Sequence, residues 1–249
     1  MRIVPVPCLK DNYAYLVIDD EGRAAAVDPG EAAPIEAALV RAQAQLVAIW
    51  ATHHHPDHVG GTAELAARRP GLEIVAGEAD APRVPGVTRI VRDGDEVTLA
   101  GHVARCIHNP GHTLGAITFV IEGHAFTGDT LFGGGCGRLF EGDAAMMHAS
   151  LMRLAALPAD TRVYFGHEYT AANLRFAAAV EPANPAIPAR ASGLTTPSTP
   201  STIADERATN PFLRCAEPAV VDAARARTSA VESPAAVFAA IRGWKDSFK

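Results

Sequence analysis

Four short apolar runs in this chain each end in a tight turn that carries histidine or aspartate, and that repetition limits the fold more than any bulk property. Leu46-Val47-Ala48-Ile49-Trp50-Ala51 runs into Thr52-His53-His54-His55-Pro56-Asp57-His58. Val103-Ala104-Arg105-Cys106-Ile107 leads to His108-Asn109-Pro110-Gly111-His112-Thr113, Ala125-Phe126-Thr127 to Gly128-Asp129-Thr130, and Arg162-Val163-Tyr164-Phe165 to Gly166-His167-Glu168-Tyr169. Short apolar runs closed by turn signals read as buried strands. A glycine at a strand end permits positive φ or close backbone approach, which lets the polar residue after it turn back toward a common centre.

The first of these turns holds the densest chemistry. In extended backbone alternate side chains share a side, so His53 and His55 reach one cation at the ~2.0–2.1 Å of a zinc–imidazole bond. Asp57 and His58 follow beyond Pro56, where the chain turns, and face a second cation; His54 points away. An expression tag would sit at a terminus, whereas this cluster has a buried strand before it and a Gly60-Gly61 hinge after it. A catalytic ion needs three or more ligands and room for water, and the remaining turns offer His112, Asp129 and His167. Five imidazoles and two carboxylates without a thiolate suit borderline metals: zinc first, then iron or manganese.

Residues 1–168 read as short strands with helical interruptions at Pro34–Ala42, Thr62–Arg69 and Ala144–Leu157. After Tyr169 no strand is expected. Ala171–Val180 has helical composition, a Pro- and Thr-rich passage covers Glu181–Pro200, and helices follow at Ala219–Ala230 and Pro234–Phe248. The expected organisation is a layered α/β metal-binding catalytic domain, 1–168, followed by a helical domain, 169–249. In the last helix Ser233 is the cap and Pro234 the first helical residue. Phe238, Ile241, Trp244 and Phe248 form its core stripe, leaving Arg242 and Lys245 together on a different face.

At 249 residues and 48% hydrophobic the chain can bury one large core and a smaller one. No apolar stretch approaches the ~18 residues of a membrane span, and Met1–Lys10 lacks the basic-then-apolar pattern of a secretory signal. Cys8, Cys106, Cys136 and Cys215 form no CxxC pair. These features predict a reduced, cytoplasmic protein without membrane partners, expected to be monomeric. Through residue 170 there are 13 basic and 21 acidic side chains, a balance of −8; beyond it there are 9 and 7, a balance of +2. Two dications would offset half of the first figure. The mildly cationic tail has no dense Lys/Arg stripe for nucleic acid and suits a small anionic ligand.

With these residues in place, the chain resembles the metallo-β-lactamase superfamily and, within it, glyoxalase II, the hydroxyacylglutathione hydrolases. The ligand order of that family is matched by His53, His55, Asp57, His58, His112, Asp129 and His167. The likeness extends through Asp11-Asn12-Tyr13-Ala14-Tyr15, Gly134-Gly135-Cys136-Gly137-Arg138, Thr209-Asn210-Pro211-Phe212-Leu213-Arg214 and Arg242-Gly243-Trp244-Lys245-Asp246. It implies a four-layer αββα sandwich followed by an all-helical C-terminal domain. It also implies two divalent ions, one on His53, His55 and His112, the other on Asp57, His58 and His167, with Asp129 shared and Asp57 and Asp129 catalytic.

The implied reaction is hydrolysis of S-(2-hydroxyacyl)glutathione, typically S-D-lactoylglutathione to D-lactate and glutathione, the second step of methylglyoxal detoxification, by a hydroxide bridging the metals. Arg138, Leu139, Phe140, His167, Tyr169, Arg242 and Lys245 are the implied substrate contacts. Many glyoxalase II proteins carry Lys and Tyr where this chain has Arg138 and Phe140, so the cation is altered and a hydroxyl is lost. Alternatives within the superfamily are a persulfide dioxygenase, a lactonase or a thioesterase for another small thiol; a non-enzymatic metal-binding module is a further one. Cys136 lacks a His or Asn partner for nucleophilic work, and Gly133-Gly134-Gly135 lacks the Gly-Lys-Ser/Thr ending of a phosphate loop, which leaves close packing beside the metals. His102, His108, His124 and His148 fit no ligand position.

Overall fold

The computed structural model describes residues 1–248. The first sheet runs in chain order through β1 (Arg2–Cys8), β2 (Asn12–Ile18), β3 (Arg23–Val27), β4 (Gln45–Trp50), β5 (Glu73–Gly77) and β6 (Arg89–Val91). The second contains β7 (Glu96–Leu99), β8 (His102–His108), β9 (Ile117–Ile121), β10 (His124–Gly128), β13 (Arg162–Phe165) and β14 (Ser201–Thr202), in the order β14-β13-β10-β9-β8-β7. A hairpin of β11 (Leu131–Phe132) and β12 (Gly135–Cys136) stands between β10 and β13 in sequence.

Strand alternation explains the layers. On β2, Ala14, Leu16 and Ile18 join a core with Ile35 and Leu39 of helix α1 (Ala32–Ala42) and Leu65 of α3 (Thr62–Ala67). Tyr13, Tyr15 and Val17 point the other way, into a core shared with the second sheet. There Trp50 stacks on Phe119 at 5.4 Å and Tyr15 meets Phe126 at 5.6 Å and Tyr164 at 5.2 Å. That core continues to Leu151 and Leu154 of α4 (Ala144–Ala155) and to Phe212 and Phe238 in the C-terminal segment. The result is the four-layer αββα sandwich, with helices α5 (Thr170–Val180), α6 (Ala186–Ser192), α7 (Ile203–Thr209), α8 (Pro218–Arg225) and α9 (Pro234–Ser247) following it.

Several tail elements differ from the sequence-based expectation. Helix α6 lies inside the Pro-rich passage, because Pro188 falls in its first turn, where a missing N–H costs no helical bond. A strand does follow Tyr169: β14 is two residues long, too short for alternation to reveal, and pairs antiparallel with β13. Helix α7 was not expected, although Thr202 caps it by accepting from the Asp205 N–H. Helix α8 ends at Arg225, and Arg227 lays its guanidinium 3.9 Å over the Trp244 ring, a distant contact the local sequence does not encode. Ser233 caps α9 as expected.

The tail motif braces the β11–β12 hairpin. Glu206, fully buried, accepts the Gly134 N–H at 2.8 Å, and Asn210 donates to the Gly135 carbonyl at 2.9 Å. The glycine run packs closely against α5, which begins directly after the His167 turn: a Cβ on Gly133 would lie 2.3 Å from Thr170 Oγ1 and 3.2 Å from Phe165 Cε1, and one on Gly135 2.4 Å from Asn173 Nδ2.

Candidate metal centre and cleft

The ligand-type residues converge because their strands end on one edge. Strand β4 delivers His53 and His55, and the single turn of α2 (Pro56–Val59), opened by Pro56, swings Asp57 and His58 inward. Strands β10 and β13 are parallel and pair Gly128 with Phe165, so the Asp129 and His167 turns leave side by side. Two glycines allow the approach. Gly128 has φ +48° and a Cβ there would lie 2.2 Å from Thr52 Oγ1, while a Cβ on Gly166 would lie 2.3 Å from Asp129 Oδ1.

Two triads result. In the first, His55 Nδ1 lies 3.1 Å from His53 Nε2 and 2.9 Å from His112 Nε2. In the second, His167 Nε2 lies 3.4 Å from both His58 Nε2 and Asp57 Oδ2. Asp129 touches both: Oδ2 is 3.5 Å from His112 Nε2 and 3.3 Å from His167 Nε2, and Oδ1 is 3.3 Å from His58 Nε2.

The outer nitrogens decide which lone pairs face inward. His58 Nδ1 donates to Asp28 Oδ2 at 3.0 Å, His112 Nδ1 to the Arg138 carbonyl at 2.8 Å, and His167 Nδ1 to Asp11 Oδ1 at 2.9 Å. Thr52 Oγ1 donates to Asp28 Oδ2 at 2.6 Å and so accepts from His53 Nδ1 at 3.1 Å. With Nδ1–H directed outward in these four rings, Nε2 of each is held toward the centre, the arrangement by which outer partners orient metal-binding imidazoles. In the first triad His53 Nε2 and His112 Nε2 both turn lone pairs toward His55 Nδ1, at 3.1 and 2.9 Å; a single Nδ1–H there serves only one of them well, and a cation between the rings satisfies all three nitrogens. The donor set therefore fits divalent ions.

Electrostatics agree. Burial, then the charge of His58, pushes His53 well below the ordinary imidazole value, and burial, then His112, pulls His55 down to about 4. Burial lowers His112 as well. In the second triad burial opposes protonation, but hydrogen bonds to Asp129 and Asp57 outweigh it and raise His167 to about 10. His58 is likewise raised against burial by the charges of Asp129 and Asp28. The hydrogen bond from His167 holds Asp57 far below the carboxylate range. Burial drives Asp129 up, yet His58 and His167 prevail and keep it ionised. In the ion-free protein, protons on the second triad balance the carboxylates that a cation would otherwise balance.

Asp28 is the principal residue that sequence reasoning missed. It belongs to the same pattern, since the apolar run Ala24–Val27 ends at Asp28-Pro29-Gly30, and its backbone adopts φ +51° at the strand end. Its oxygens serve Thr52 and the outer nitrogen of His58, although it also lies within ligand distance of His53 and His58. Asp11 opens the Asp11–Tyr15 motif, but its hydrogen bond to His167, 156 residues away, is visible only in the fold.

A cleft of roughly 650 Å³ opens above the triads between the sandwich and α9. Phe132, Arg138, Phe140, Tyr169, Arg242 and Lys245 are among its walls. Tyr169 stacks on His167 at 4.8 Å and 3°, while Phe140, 64% exposed, stands 5.5 Å from the His55 ring. Leu139 does not line the cleft; in the extended segment its side chain alternates away from Arg138 and Phe140 and packs on the core. Arg242 is buried, donating to the Cys136 carbonyl at 3.0 Å and to Asp246 at 3.0 Å, so its charge is partly committed within the protein. Lys245 is half-buried beside it. Burial pushes the Cys136 thiol up to about 11, which makes it a poor nucleophile. His102 pairs with Glu122, His108 with the Leu114 carbonyl, His124 with Tyr164, and His148 packs near Phe238.

Comparison with known proteins accords with this geometry. Residues 10–167 match the family described as metallo-beta-lactamase superfamily, and residues 168–248 match hydroxyacylglutathione hydrolase C-terminus. The hydroxyacylglutathione hydrolase of Cupriavidus metallidurans is 48% identical over the whole of both chains, and that of Alkalilimnicola ehrlichii 52% identical over 98% of each. Among solved structures, BLEG-1 B3 metallo-beta-lactamase superposes with a TM-score of 0.68 at 22% identity, covering 85% of this chain and 99% of that one, a likeness of fold alone. ETHE1 from Myxococcus xanthus gives a TM-score of 0.65 at 26% identity, covering 85% of this chain and 84% of that one. With both segments matched and full-length relatives about half identical, the chain belongs to the hydroxyacylglutathione hydrolase family of the metallo-beta-lactamase superfamily.

Proposed function

We infer that this chain is a metal-dependent hydrolase of S-(2-hydroxyacyl)glutathione thioesters, with S-D-lactoylglutathione as its typical substrate. The observation that carries the reading is the pair of triads joined by Asp129 at the floor of a cleft whose far wall presents Arg242 and Lys245. His53, His55 and His112 would hold one ion and Asp57, His58 and His167 the other, with Asp129 available to both; zinc is the first candidate, iron and manganese the others. Bound there, the ions supply a water acidified toward pKa ~7 and polarisation of the thioester carbonyl.

The chain's own residues do the rest. Asp57 and Asp129 accept hydrogen bonds from the attacking water, orient it toward the carbonyl carbon and take up its proton. Phe132 and Phe140 wall the reacting group from bulk water, and Tyr169 contacts the thiol peptide. Arg138, Lys245 and the residual charge of Arg242 bind the carboxylate ends of glutathione. A thiol of pKa near ~8.5 departs as thiolate without a dedicated acid. Residues 1–168 act as the catalytic domain and 169–249 as the thiol-binding domain of a cytoplasmic monomer. The test sets S-D-lactoylglutathione against the same acyl group on another thiol and against a lactone. Preferential loss of the glutathione thioester supports the reading; faster turnover of either competitor contradicts it.

A further inference from the structure

Behind the first triad lies a polar cluster that the proposed chemistry does not use. Asp80, in the turn after β5, is fully buried. Its Oδ2 accepts the His54 backbone N–H at 3.1 Å and the Thr113 hydroxyl at 2.8 Å, and its Oδ1 accepts the Gly115 N–H at 3.0 Å and Arg83 Nη2 at 3.2 Å. His54 separates His53 from His55, and Thr113 directly follows His112, so one carboxylate ties together both chain segments of the triad. The fit has no slack: a Cβ on Gly115 would lie 2.3 Å from the Asp80 nitrogen. Arg83 extends the tie to Glu141, which accepts the Leu114 N–H at 2.8 Å and directly follows Phe140 of the cleft wall. The His54 ring faces Asp80 at 3.1 Å and Glu141 at 3.7 Å. Although His54, Asp80 and Glu141 approach within ligand distance of one another, the Arg83 guanidinium already serves as their cation. Asp80 and Arg83 are not among the cleft walls.

We propose that Asp80 is a positioning residue for the His53, His55 and His112 triad, clamping its two segments and so governing the affinity of that triad's ion apart from the other. The second triad hangs from Asp28 and Asp11 and shares none of these bonds. Asp80→Asn keeps the volume but replaces one acceptor oxygen with an NH₂, which must face donors on either side: His54 N–H and Thr113 hydroxyl, or Gly115 N–H and Arg83. The clamp then opens on one side.

The inference rests on the two-ion reading, and its test separates the two. Full-length wild type and Asp80→Asn, both zinc-loaded, are dialysed against graded chelator and their ions counted. The stripped proteins are then compared by amide hydrogen exchange. Wild-type zinc content judges the two-ion reading; a single ion contradicts that reading alone, because the exchange comparison needs no metal. The clamp predicts that the variant releases one ion at about 10- to 100-fold weaker chelation and keeps the other as wild type does. Exchange quickens at His54 and Gly115 but not at Gly166 to Tyr169, and excess zinc restores turnover with KM unchanged. Unchanged release of both ions, or parallel loss of both with faster exchange at both segments, overturns it. Should Asp80→Asn fail to fold, Thr113→Val removes one clamp bond, and the same selective shift in smaller degree is expected; its absence counts equally against the proposal.

Discussion

Among the described residues Asp129 is the one carboxylate within 3.5 Å of imidazoles from both triads, so the two-ion proposal turns on it. Asp129→Asn is expected to lower kcat about 10²- to 10⁴-fold and to reduce bound metal, read by metal analysis alongside turnover; wild-type kcat after loss of an ion would remove the two-ion mechanism. Phe140→Tyr restores a hydroxyl at the cleft wall, and a net hydrogen bond of ~0.5–1.5 kcal/mol lowers KM about 2- to 10-fold with kcat unchanged. His167 gives a pH signature. In the ion-free fold its pKa stands at about 10 against an ordinary 6.5. The stability it contributes is therefore full below pH 6.5 and lost as pH rises through about 10. Thermal melts of chelator-stripped protein should fall across that window, and melts of loaded protein should not, because the cation replaces the proton. The seven ligand-type residues were legible from sequence because metal chemistry narrows residue type and the turns mark position. Asp28 was not, because its partners Thr52 and His58 lie 24 and 30 residues away.

Among elements, the strands were legible where turn signals closed them, and β4, β8, β10 and β13 lie where the apolar runs placed them. The tail was less so. Periodicity identified the core stripe of α9 but not what packs on its other face, so Arg242 looked free although it is bonded to Cys136 and Asp246. Helix α6 was hidden by its prolines, and β14 by its length. The hairpin of β11 and β12 depends on the tail for its buried hydrogen bonds. Asn210→Ala leaves the Gly135 carbonyl without its side-chain donor and is expected to cost about 1–3 kcal/mol, measured by denaturant unfolding of the loaded protein; an unchanged midpoint would show that the brace carries no stability.

Across the whole molecule, the sandwich supplies the ligand-type His and Asp side chains and the C-terminal helix places Arg242 and Lys245 on the opposite wall of one cleft. The uneven charge division in the sequence anticipates this, with −8 through residue 170 and +2 beyond. What the sequence could not give is the depth at which each cation sits, since Arg242 is 6% exposed while Arg138 stands at the rim. The account's central claim is a hydrolase that needs both triads filled. Its most direct test is to quantify zinc, iron and manganese in purified protein and follow loss of the thioester of S-D-lactoylglutathione before and after chelation. About two ions per chain with rapid turnover that chelator abolishes and metal restores is the predicted result; a fully loaded protein that leaves this thioester intact would contradict it.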